Sequence, residues 1–179
     1  MKLAVVQSDR SSDGPVALPA GIDLVFAASA LPDAGALAAL GEVAVLRGDD
    51  ALDPDTHREL ASRLPAAIVL MPGAESDLQA EGVLELALGL SESVAGLVVV
   101  AEDDGAEPGD SGHGGSAIVL LGEVLAEALG GADVIVAEVP LPVPQPAPRE
   151  PLPEVPPILL QRLAHHRGVK PRTDYPSDA

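Results

Sequence analysis

The chain has 179 residues, 47% of them hydrophobic, which suits one core-bearing domain with room for a small appended segment. Ten Lys and Arg stand against 28 Asp and Glu, a formal net charge of −18, and Phe26 and Tyr175 are the only Phe, Trp or Tyr residues. A field of that sign repels phosphate backbones and no aromatic platform exists for bases, so nucleic acid is disfavoured as a partner; the absence of cysteine excludes disulfides, Cys-ligated zinc and thiol nucleophiles.

In chain order, L-A-V-V-Q (3–7) predicts a first buried strand. The opening M-K-L-A-V-V-Q is too short for the apolar region of a secretory signal, so a cytoplasmic protein is expected. I-D-L-V-F-A (22–27) and V-A-V-L (43–46) predict two more strands. D-P-D-T-H-R-E-L-A-S-R-L-P then predicts a helix capped by Asp53, with Pro54 at its first position and Pro65 as its stop. A-I-V-L-M (67–71) is the next strand. The stretch D-L-Q-A-E-G-V-L-E-L-A-L-G-L-S-E-S-V carries apolar residues at helical spacing, with glycines that weaken it. L-V-V-V-A (97–101) follows; runs of this length are strand-sized, and none is long enough to span a membrane.

Beyond it, S-A-I-V-L-L-G-E-V-L-A-E (116–127) predicts two strands joined by a tight turn near Gly122, and D-V-I-V-A-E (133–138) a third. Strands and helices that pass into a hairpin imply an α/β fold with a mixed sheet and helices on its outer side. From Pro140 to Pro157 the chain holds half of its 18 prolines and predicts an extended polyproline II arm, either a spacer or a segment hugging the surface. Residues 158–179 predict a short helix and a basic tail able to lie against an acidic body or neighbour. The expected organisation is therefore 1–139 as the α/β domain, 140–157 as the proline-rich arm and 158–179 as the helix and tail.

These pieces together resemble the nitrilase (carbon–nitrogen hydrolase) superfamily. M-K-L-A-V-V-Q is similar to its first strand, and A-G-I-D-L-V-F-A-A-S-A-L to the strand that delivers its catalytic glutamate. V-A-V-L-R-G-D-D-A-L-D-P-D is similar to the elbow that carries its nucleophilic cysteine. G-H-G-G-S-A-I-V, G-E-V-L-A-E-A and A-D-V-I-V-A-E-V match its closing strands in order, and P-R-T-D-Y its ending. The resemblance implies a truncated nitrilase-like α-β sandwich. It also implies a mechanism in which a thiolate attacks a nitrile or amide carbon, with a glutamate as base and a lysine at the oxyanion. On that alignment the cysteine position falls on Gly48, Ser29 is the only polar residue near the glutamate position, and no lysine lies between Lys2 and Lys170. All three roles are empty.

Other chemistry has less behind it. G-D-S-G (109–112), with His57 and Asp103 or Asp104 upstream of Ser111, has the order of a trypsin-like triad, but that His lies on a predicted helix of an α/β pattern. The acids of 101–110 and of 48–55 lack the spacing of a calcium loop and read as solvated surface, Asp53 being a helix cap. His165 and His166 are adjacent, so a helix points them apart, and they read as surface residues beside Arg162 and Arg167. His113, alone among glycines, reads as structural or exposed. No phosphate-binding glycine motif follows any predicted strand, and no cofactor or metal is expected.

The expected function is that of a catalytically inactive relative: an interaction or structural subunit, associating with itself or with an active nitrilase-family relative. The alternative is a hydrolase of amide, nitrile or ester bonds working from a residual set such as Ser29, Asp49, His113 and Ser116. A generic α/β binding domain is a third reading.

Overall fold

The computed structural model describes residues 1–7, 17–102, 115–129, 131, 133–147 and 151–168. Eight strands form two sheets. The small sheet has the order β2-β1-β8, from Leu24–Ala27, Lys2–Gln7 and Asp133–Glu138. Its first pair is parallel and its second antiparallel, with Lys2 opposite Glu138 and Gln7 opposite Asp133. The large sheet has the order β3-β4-β5-β6-β7, from Val43–Arg47, Ala67–Met71, Leu97–Val100, Ser116–Leu120 and Glu123–Ala128. There β3, β4 and β5 run parallel, and the β6–β7 hairpin closes antiparallel onto β5.

The expected strands thus all form, and both sheets are mixed. What the sequence pattern leaves out is their division into two. Alternation says which face a side chain takes, and says nothing about which strands pair across long connections.

Every residue of β4 and β5 is buried, because the large sheet is covered on both faces. Ala67, Val69, Met71, Leu97 and Val99 meet Leu3, Val5, Leu24 and Phe26 of the small sheet in one core. Ile68, Leu70, Val98 and Val100 point the other way, against helices, in a second core. The helices there are α2 (Pro54–Arg63), α3 (Asp77–Ser93) and α4 (Pro157–His166), which supply Leu60, Leu86 and Leu159; a short α1 (Ala34–Leu37) precedes β3. The order is therefore sheet, sheet, helix layer.

Local signals set the ends of these elements. Asp53 caps α2, its carboxylate accepting the Asp55 N–H at 2.9 Å, with Pro54 at the first position; Leu64 ends it in the left-handed region. Ser76 caps α3 through Gln79 N–H at 3.2 Å. The hairpin turns at Leu121 and Gly122, both with positive φ (49° and 83°), the twist a two-residue antiparallel turn requires.

Beyond β8 the proline-rich stretch carries no helix or strand in its described residues up to α4, and it lies on the body. Val143 enters the core between the sheets, and Val155 enters the helix-side core. The glycines of α3 explain the fit. Side chains added at Gly82 and Gly89 would strike Ile158 and Pro153, and one added at Gly96 would strike the Pro144 carbonyl. Spaced by seven, these glycines clear a track for the arm. They weaken the isolated helix, as expected, and make room for close packing.

Candidate functional site

In parallel sheets the reactive or ligand-binding crevice lies beyond the carboxyl ends of the strands. Here the described part of that edge is formed by the loops after β3 and β4, by Ala101 and Glu102 after β5, and by the start of β6. After β3 the chain enters a 3-10 turn, Gly48–Leu52, whose Ala51 and Leu52 are buried. Gly48 has a φ of 52°, and a Cβ there would meet nothing within 4 Å, so the elbow has room for a side chain and presents none.

The end of α4 lies over this elbow. His166 places Nδ1 2.9 Å from Asp49 Oδ1 and Nε2 3.5 Å from Glu75 Oε1. Arg167 donates to Asp53 Oδ2 at 2.7 Å. That guanidinium, helped by the Asp55 amide, holds the Asp53 carboxyl below its ordinary range, and Asp53 in turn raises Arg167. Arg162 is buried: it donates to the Pro72 carbonyl at 2.8 Å and to Gln79 Oε1 at 3.4 Å, and its Nε lies 3.9 Å from Glu75. α4 and the residue that follows it thus bring three basic side chains onto the loops after β3 and β4. Asp49 and Asp53 are the partners of His166 and Arg167.

Behind that lid is a buried polar network that links the two sheets. The Gln7 side chain donates to the Gly131 carbonyl at 2.7 Å and accepts the Ser116 N–H at 3.0 Å. Ser116 Oγ accepts the Glu102 N–H at 3.1 Å and lies 3.3 Å from the Glu102 carbonyl. The Glu102 carboxylate accepts the Gly73 and Ala74 N–H groups, each at 3.1 Å. Gln7, Ser116 and Glu102 are all buried. A carboxylate out of water needs such donors, and they also fix the loop after β4.

The sequence-derived candidates fare differently. Asp49 sits at the edge, committed to His166; Ser116 sits behind it, committed to Glu102 and Gln7. Ser29 is exposed in the turn that closes Ala27 onto Ala30, at the end of the small sheet. None of the hydrogen bonds described for Asp49 or Ser116 reaches another of the candidates. His113 lies outside the described residues, as do Asp103, Asp104 and Ser111. His57 is on α2 and buried: its Nε2 lies 3.0 Å from the Ala51 carbonyl, its Nδ1 has no partner, and burial pushes its pKa down.

Glu102 corrects the surface reading given to the acids of 101–110, since it is interior, and Arg162, named only as a neighbour of the histidines, is interior too. For Glu102 the signal was its position directly after L-V-V-V-A, still within reach of the sheet edge. Arg162 recurs three residues after the apolar Leu159 and beside Leu163, on the buried stripe of α4. Among the described residues no group of three or more His, Asp or Glu is placed to hold a metal, and no helix is long and apolar enough to cross a membrane.

No family model matches this chain, and no curated protein does. Solved structures are similar to it. One is a variant of the amidase from Nesterenkonia sp. AN1 with acrylamide added at its active site cysteine, 23% identical with a TM-score of 0.46, covering 55% of this chain and 39% of that one. A second variant, described as an amidase from the nitrilase superfamily, is 21% identical with a TM-score of 0.46, covering 70% of this chain and 43% of the amidase. The amidase after removal of its His-tag matches at 20% identity and a TM-score of 0.45, over 55% of this chain and 39% of its own. This chain therefore spans about two-fifths of the length of those amidases.

Proposed function

We propose that this protein is a catalytically inactive nitrilase-like chain that works by association, as an interaction or structural subunit of a homo-oligomer or beside an active relative. The observation that carries this reading is the occupied edge of the large sheet. His166 at the end of α4 and Arg167 just after it sit on Asp49 and Asp53, where a substrate of a parallel-sheet enzyme would enter. Among the described residues of that edge, the places the resemblance assigns to chemistry are also empty. The elbow residue is glycine, the whole chain lacks cysteine, and Ser116 is held in a buried network with no base in its described contacts. An arm that tracks a glycine groove is, moreover, a device for packing chain against chain.

The test is to purify the tagged full-length protein gently from its own cells and weigh it by native mass spectrometry. A defined multimer of this chain, or a stoichiometric complex with a second polypeptide, is the expected result. A lone monomer at tens of micromolar overturns the reading.

A further inference from the structure

The two cores use only one face of the small sheet: Leu3, Val5, Leu24, Phe26, Ile135 and Ala137 pack toward the large sheet. Strand alternation puts Ala4 and Val6 of β1, Val25 and Ala27 of β2, and Val134 and Val136 of β8 on the opposite face. Neither core includes any of the six. The register sets them in two adjoining rows, Val25–Ala4–Val136 and Ala27–Val6–Val134, with no charge among them. Ala4, in the middle, is buried, and the other five are half-buried. A contiguous apolar face of this kind marks an interaction surface. This chain has little of its own to lay over it. Outside the described residues, prolines apart, its only large apolar side chains are Val16, Val169 and Tyr175.

A second copy supplies a matching surface. One end of the face is closed by a charged row of Asp23, Lys2 and Glu138, with Lys2 opposite Glu138 and the Lys2 N–H donating to the Asp23 carboxylate at 2.7 Å. With the strands of two copies parallel across a two-fold axis, Lys2 would meet Lys2 and acid would meet acid. With the strands antiparallel, the charged rows lie at opposite ends. Val25 then meets Ala27 and Ala4 meets Val6, large on small in each case. Three strands about 4.8 Å apart, each residue rising about 3.3 Å, make a face of roughly 250 Å². That is roughly a third of the ~800 Å² per partner of a stable interface, the share of an apolar centre within a polar rim. We propose that two copies of this chain meet through the outer faces of their small sheets, across a two-fold axis with strands antiparallel. This rests on the association reading above and names the surface that association uses.

Each body carries a charge of −18, so an apolar contact between two of them tightens as salt screens their repulsion. Sedimentation equilibrium of the full chain should show a dimer whose dissociation constant falls roughly twofold or more as sodium chloride rises to about 0.5 M. Val6→Lys and Val134→Glu each add an unpaired charge to the apolar centre and should weaken the dimer roughly tenfold or more. In the native chain, a soluble nitroxide should broaden the methyl resonances of Val6, Val25, Val134 and Val136 less as protein concentration rises. An oligomer that both variants leave intact would overturn this surface and keep the association reading. A native chain that is monomeric at every salt overturns it too, and leaves that reading to a second polypeptide alone. Should the variants fail to fold, the native methyls still decide: broadening that ignores concentration overturns the proposal.

Discussion

At the scale of single residues, the polar groups that matter are those the fold removes from water. Glu102 is the plainest case: its carboxylate is sealed behind the sheet edge and answered by two backbone N–H groups. Sequence reading placed it with its acidic neighbours because charge type predicts exposure well, and nothing in a lone chain announces the donors that make an exception. Asp53 was the opposite case, since a cap followed by proline states its own role locally; its second partner, Arg167, comes from 114 residues away and had no local sign. His57 yields a pH prediction. Burial lowers its pKa from the ordinary 6.5, so the unfolded chain binds a proton that the folded chain resists. Its favourable contribution is present above 6.5 and is lost as pH falls from there through the folded value. Thermal melts of the native chain and of His57→Phe should therefore diverge in slope below about pH 6.5, the native chain losing more on acidification. Parallel curves across that window would show that the imidazole is free to charge in place.

At the scale of elements, strands were legible and their grouping was not. A-I-V-L-M and L-V-V-V-A are apolar throughout because β4 and β5 are covered on both faces, and such runs survive any topology. The sheet of β1, β2 and β8 is completed by contacts across more than 100 residues, as in Lys2 opposite Glu138. The helix α3 shows why propensity alone misleads. Gly82 and Gly89 cost helix stability locally, yet they let the arm approach where a side chain would collide with Ile158 and Pro153. Gly89→Leu, which favours the isolated helix, should instead destabilise the protein by about 1–3 kcal/mol through overpacking against Pro153. Chemical denaturation measures that loss. Amide exchange should also speed at Val155 and Leu159, which the helix-side core buries. A stabilised variant with unchanged exchange would mean the arm does not rest on that track.

At the scale of the whole molecule, charge and shape tell one story. A net charge of −18 makes a body that repels itself, and the basic residues of α4 are placed where the acids of the elbow gather. Such exposed pairs are worth little singly, on the order of 0–1 kcal/mol each. It is the buried anchors beside them, Leu159, Leu163 and Arg162, that seat the helix. This contact was only half readable in advance: complementary charge made it expected, while its position over the carboxyl edge came from the fold. Among the described residues, Asp49 and Asp53 at the carboxyl edge of the large sheet are paired with His166 and Arg167, which is what the proposed inactive reading rests on. The most direct measurement is turnover by the purified full-length protein on a panel of short amides, nitriles and esters, with Asp49→Asn and Ser116→Ala alongside. We expect no rate above buffer for any of the three proteins. Hydrolysis by the native chain that either substitution abolishes would contradict the account, and would make that edge an active site.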